Sequence, residues 1–208
     1  MTATNEKGQN LNTYDNVILT DCDGVLLNWS SAFSRWMERH GLFPLENTQH
    51  EYSIAKRYGI TKEQKDLFTR MFNESAAIEH VAPLRDAMYY VDLLHRKHGF
   101  VFHAITSLSL DPYAGALRTR NLKNLFGSTA FEKYTYLDTG ADKDEALAEY
   151  RNSGCIFVED KVENALVGYN LGLNSVIFDH PYNHDFEHPD IPRVHSWKEI
   201  YEMVTGET

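Results

Sequence analysis

The chain is poor in cysteine, holds no long hydrophobic run and has no excess of cationic side chains. Its two cysteines, Cys22 and Cys155, both sit in apolar surroundings. They read as reduced core thiols of a cytosolic protein, not as a disulfide or a metal pair. Lys and Arg number 20 against 30 Asp and Glu, a formal net charge of -10. That balance argues against a nucleic-acid polymer or an anionic membrane as partner, since both need a cationic face. A small anion held by a few local cations stays compatible with it. Every apolar run falls far short of the roughly 20 residues that span a bilayer. Residues 1–13 are polar, lack the apolar segment of a secretory signal and read as a flexible arm. Internal repeats and low-complexity stretches are absent too. What is present is 42% hydrophobic residues in 208, enough for one domain or one domain plus an insert.

Five short apolar runs read as strands: Val17–Thr20, Phe100–Ile105, Tyr134–Leu137, Cys155–Val158 and Ser175–Phe178. A helical pattern precedes each of the last four. Ala87–His98 carries Met88, Val91, Leu94 and His95 at helical spacing, and Tyr113–Phe126 carries Ala116, Leu117, Leu122 and Leu125. Lys143–Tyr150 and Glu163–Leu171 follow. Strands alternating with helices imply right-handed crossovers and a parallel α/β sheet, with ligands at the carboxyl ends of its strands. Between the first two strands lies a long stretch with helical patterns at Ser31–His40, Glu51–Tyr58 and Thr61–Phe72. It reads as a helical insert, residues 29–82, over the strand ends.

Those ends carry the chemistry. The first is followed by Asp21-Cys22-Asp23-Gly24-Val25. Two carboxylates one residue apart suit a hard divalent cation and can supply a nucleophile and a proton carrier. The second strand ends in Thr106-Ser107, the third leads to Lys143, and the fourth ends in Glu159-Asp160. Each has a plainer reading: a turn, an N-cap, a solvated lysine, dipole-favoured capping. Their occurrence in order along one sheet edge favours a site, and phosphoryl transfer is the chemistry it suits. A carboxylate attacking a phosphate dianion meets roughly 4 kcal/mol of repulsion per charge pair. A Mg2+ ion held by Asp21, Asp160 and Glu159, with Lys143, would offset it. The Thr106 hydroxyl and nearby N–H groups would orient the phosphoryl oxygens.

These motifs resemble those of the haloacid dehalogenase superfamily of phosphatases. Asp21-Cys22-Asp23-Gly24-Val25 is similar to the first motif, Thr106 to the second, Lys143 to the third, and Glu159-Asp160 with Glu163-Asn164 to the fourth. The resemblance implies a Rossmann-like parallel sheet of about five strands, order 3-2-1-4-5. The core would be residues 14–28 and 83–208, with residues 29–82 as a type 1 helical cap. It makes Asp21 the nucleophile that becomes an aspartyl-phosphate and Asp23 the general acid and base. The Asp23 backbone carbonyl would join the metal ligands, and Thr106, Ser107 and Lys143 would bind phosphate. The fourth motif departs from the usual pattern at Asn164, where a second acid is common. Ile105-Thr106-Ser107, Val158 to Asn164 and the tail Phe178-Asp179-His180-Pro181-Tyr182-Asn183 resemble 5'(3')-deoxyribonucleotidases and their phage and bacterial relatives. The expected partner is therefore a small phosphomonoester, with a nucleotide preferred over a sugar phosphate. A phosphomutase, a dehalogenase, a phospho-accepting receiver and a silent scaffold are the alternatives.

The insert carries aromatic residues that could stack on a base: Trp29, Phe33 and Phe72 foremost. Phe33 with Trp36, and Phe68 with Phe72, also have the spacing of an internal core. Lys56, Arg57, Lys62 and Arg70 could hold an anion or form a solvated face. His180, His184 and His188 recur every four residues, but Pro181, Asn183 and Pro189 place them on a loop, not on a metal-binding helix face.

Overall fold

The computed structural model describes residues 14–48, 51 and 53–207. The expected arm, residues 1–13, lies outside them. A parallel sheet of six strands has the order β3-β2-β1-β4-β5-β6. The strands are β1 (Val17–Thr20), β2 (Val101–Ser107), β3 (Phe131–Leu137), β4 (Ile156–Glu159), β5 (Asn174–Phe178) and β6 (Arg193–Val194). All four residues of β1 are buried, as a central strand covered on both faces requires. Alternation sends Ile18 to one face, with Phe102, Val158 and Trp197, and Val17 and Leu19 to the other, with Ile105, Leu147 and Phe157. The sixth strand extends the expected order by one. At two residues, β6 is too short to show a period in sequence.

Helices α4 (Ala87–His98), α5 (Pro112–Phe126), α6 (Asp144–Ala148) and α7 (Val162–Asn170) make the crossovers, and α8 (Trp197–Thr205) closes the chain. Local signals set their ends. Asp111 accepts from the N–H groups of Tyr113 and Ala114 with Pro112 opening α5, and Gly99 ends α4 in the left-handed region. Two buried faces differ from the expected ones. On α4, Met88 is exposed and Ala87 is buried beside Val91 and Leu94. On α5 the buried face is Ala114, Gly115, Arg118, Asn121, Leu122 and Phe126. Its two polar members have partners inside the protein. Asn121 donates to the carbonyls of Glu79 and Val81, and Arg118 pairs with Asp23.

Between β1 and α4 the chain forms α1 (Trp29–Arg39), α2 (Ile54–Tyr58), α3 (Lys62–Asn73) and a 3-10 turn at Ala76–His80. Thr61 and Gln64 form a reciprocal capping box at the start of α3. The entering and leaving segments bond to each other: Asn28 N–H donates to the Ala82 carbonyl and Leu84 N–H to that of Leu26. Asn73 Nδ2 donates to the Leu108 carbonyl at 2.7 Å, and Arg70 pairs with Asp138 at 3.0 Å, so the insert is braced against the strand ends.

Candidate active site

β1 is the strand where the sheet order reverses, flanked by β2 and β4. A crevice forms there at the carboxyl ends. Asp21 follows β1 directly, and its N–H donates to the Val158 carbonyl at 2.9 Å. Gly24 turns the chain at φ +82°, a conformation open to glycine and costly for other residues. No Cβ would fit: it would stand 2.1 Å from Asp160 Oδ2. The turn thus brings the first motif against the fourth.

Lys143, only 1% exposed, precedes α6 and inserts its ammonium between two carboxylates. Nζ lies 2.6 Å from Glu159 Oε2 and 3.0 Å from Asp21 Oδ2. Burial opposes the Lys143 charge, but these two carboxylates hold its pKa above the ordinary lysine value. Glu159 is fully buried, and its other oxygen accepts the N–H groups of Asp160 and Lys161. Burial raises its carboxyl well above the usual range although Lys143 opposes this. Burial and the nearby Asp21 charge push Asp160 up to about 6. Candidate ligand oxygens of Asp21, Glu159 and Asp160 all lie within 4.8 Å of one another. Three buried carboxylates face one ammonium, and a hard divalent cation fits both that donor set and its negative excess. Glu159 also has a second duty, since both its oxygens already hold Lys143 and the β4–α7 turn.

These groups floor a cavity of about 860 Å³, walled by the insert and by the 180–182 loop. The expected site residues Asp21, Asp23, Thr106, Ser107, Lys143, Glu159 and Asp160 all line it. Ser107 Oγ donates to the Ala141 carbonyl at 2.8 Å, tying β2 to the loop before Lys143. Asn164, in place of the usual second acid, is buried and lines the cavity, whereas Glu163 is exposed. From the insert, Trp29 is half-buried on the wall, stacked on Phe33 at 4.6 Å and donating Nε1–H to Asn73 Oδ1 at 2.9 Å. Phe33 reaches the wall but is 2% exposed. Phe72 does not line the cavity. It is fully buried edge-on to Trp29, Phe33 and Trp36, because the same spacing that suggested a stacking face builds the insert's own core. Arg57 and Lys62 line the cavity, joined by Lys65; Arg70 and Lys56 do not, Arg70 pairing with Asp138 outside it and Lys56 with Glu51 on its wall.

Three contacts escaped the sequence reading. Arg118 grips Asp23. Tyr182 donates its hydroxyl to Asp160 Oδ2, and His180 Nε2 donates to the Gly24 carbonyl at 2.6 Å while its ring stacks on Tyr182. An arginine on the inner face of α5, and the tail motif itself, were the available signals. His180, His184 and His188 lie on a loop, and none joins the metal-competent group found among the described residues.

No protein-family model matches the chain. Over 134 residues, 62% of the chain, it is 31% identical to an uncharacterized 32.4 kDa protein of the Gp30–rIII intergenic region of Enterobacteria phage T4. The match takes in 47% of that phage protein, so the chain spans about half the length of this curated relative. Among solved structures it is similar to a haloacid dehalogenase-like family hydrolase from Streptococcus pneumoniae. The TM-score there is 0.62 at 15% identity, over 90% of this chain and 97% of that one. It is also similar to YfnB of Bacillus subtilis bound to magnesium, with a TM-score of 0.59 at 14% identity over 91% and 98%.

Proposed function

For a chain with the fold of haloacid dehalogenase-like hydrolases, we propose a magnesium-dependent phosphomonoester hydrolase acting on nucleoside 5'-monophosphates. One observation carries the hydrolase reading: Asp21, Lys143, Glu159 and Asp160 converge, buried, at the floor of a cavity that also receives Asp23 and Thr106. The Asp21 and Asp160 carboxylates and the Asp23 carbonyl would hold the ion, with Glu159 behind them. Bound there, it would supply positive charge against the phosphoryl oxygens. Residues 29–82 act as the cap and residues 14–28 with 83–208 as the core.

Asp21 attacks phosphorus and carries the phosphoryl group as an aspartyl-phosphate. Asp23 protonates the leaving oxygen and then takes a proton from the water that releases phosphate. Lys143 neutralises charge at Asp21, and Thr106 and Ser107 orient the phosphoryl oxygens. The nucleotide preference is supported by the half-buried Trp29 indole on the wall and by the resemblance of the 178–183 tail to deoxyribonucleotidases. Turnover of p-nitrophenyl phosphate with magnesium should vanish in Asp21→Asn, and full activity there would end the hydrolase reading. A panel of nucleotides against sugar phosphates tests the substrate class. Preference for sugar phosphates over every nucleotide would overturn the nucleotidase assignment alone.

A further inference from the structure

Arg118 lies outside the four motifs and outside the cavity wall, yet it is the buried partner of Asp23. Nη1 donates to Asp23 Oδ1 at 2.5 Å and Nη2 to Oδ2 at 3.2 Å. The Arg118 side chain is 0% exposed, whereas that of Asp23 keeps 20%. Because Asp23 lines the cavity and Arg118 does not, the guanidinium grips the carboxylate from the core side and leaves its outer side toward the cavity. Arg118 Nε is buried without a hydrogen-bond partner among the described residues. A fully buried guanidinium with an unused donor is poor value as packing, since apolar side chains of similar volume often serve stability as well or better. What it does supply is a rigid two-point fork, which a point charge or an apolar group does not.

We propose that Arg118 is a positioning residue that holds the Asp23 carboxyl in the orientation from which it exchanges a proton with the substrate. This rests on the phosphatase reading above. In the first half-reaction an Asp21 oxygen bonds to phosphorus, the ester P–O bond breaks, and the Asp23 proton passes to the departing oxygen. In the second, water bonds to phosphorus, its proton returns to Asp23, and the bond from Asp21 to phosphorus breaks to release inorganic phosphate. Two-point contact with Arg118 keeps Asp23 aimed through both transfers, the longer contact being at Oδ2.

Dependence on the leaving group separates positioning from a general packing role. Expulsion of an alkoxide needs the Asp23 proton, whereas p-nitrophenolate leaves with little help. The assay is first-turnover product release from a nucleoside 5'-monophosphate and from p-nitrophenyl phosphate, with wild type beside Arg118→Met. The expected loss is ~100-fold on the nucleotide, the scale of a misplaced reacting group, and under ~10-fold on p-nitrophenyl phosphate. Arg118→Lys keeps the charge without the fork and should show the same substrate-dependent loss at smaller amplitude. It decides the question if the methionine variant does not fold. Equal losses on both substrates, or none on either, overturn the positioning role and leave the phosphatase reading standing. An inactive wild type, or an active Asp21→Asn, overturns that reading and this proposal with it.

Discussion

Replacing Gly24 with alanine perturbs the proposed metal site without altering any side chain that holds the ion. The added Cβ would stand 2.1 Å from Asp160 Oδ2 and 2.8 Å from its Cγ, where ordinary contact begins at 3.4 Å. The carboxylate must therefore retreat by about 1.3 Å, the gap between the first and last of these distances. Metal–oxygen bonds tolerate displacements of roughly 0.2 Å. The way back is restricted, because Tyr182 donates to the same oxygen and Asn183 Nδ2 holds the Asp160 carbonyl at 2.8 Å. Loss of a mere outer partner costs roughly 10–100-fold in metal affinity, so the magnesium needed for half-maximal phosphatase activity should rise at least that far. The left-handed backbone, φ +82°, adds about 1–2 kcal/mol of destabilisation, read as a lower urea midpoint. Gly99→Ala separates the two effects. Its φ is +73° with no atom within 4 Å of the added Cβ, so it should lose similar stability and keep the wild-type magnesium requirement. A folded Gly24→Ala with wild-type magnesium dependence would refute the assignment of Asp160 as a ligand.

Trp29→Ala should raise KM for a nucleoside monophosphate far more than for p-nitrophenyl phosphate, by the roughly 1–3 kcal/mol of one base stack; equal changes on both would remove Trp29 from base recognition. Gly168→Ala would place a Cβ 2.6 Å from both Phe157 Cδ1 and Ser175 Oγ, where α7 meets the sheet. Overpacking of that kind costs about 1–3 kcal/mol, so calorimetry should show a lower Tm, with KM unchanged in the folded protein. His103 is buried on β2 with Nδ1 2.8 Å from the Tyr150 hydroxyl, and burial lowers its pKa. Below about pH 6.5 the unfolded chain then binds a proton that the folded chain refuses, so stability falls with pH, with no such penalty above that value. Wild type should lose more of its urea midpoint than His103→Gln between about pH 7.5 and about pH 5.5; equal losses would clear His103 of the effect.

The elements legible in sequence were those whose signals are local. β1 and α4 have the expected bounds because one is a run of buried residues and the other ends in a left-handed glycine. β3 starts at Phe131, three residues before the expected Tyr134, because Glu132 and Lys133 interrupt the apolar run at a sheet edge where one strand neighbour is missing. Asp21, Thr106, Lys143 and Asp160 could be brought together on paper because successive parallel strands deliver their carboxyl ends to one edge. Arg118 and Tyr182 could not. Each reaches its carboxylate from a remote part of the chain, 95 residues from Asp23 in one case and 22 from Asp160 in the other. The aromatic spacing in the insert describes a core as well as a binding face, and only packing divides Trp29, on the wall, from Phe72, behind it.

The proposed phosphoryl carrier is open to direct detection. Protein quenched during turnover of a phosphomonoester with magnesium, reduced with borohydride and digested, converts an acyl-phosphate into homoserine that peptide mass spectrometry can locate. The account predicts homoserine at position 21, dependent on substrate and absent from Asp21→Asn. Homoserine at any other position, or none from protein shown to be turning over, would contradict it.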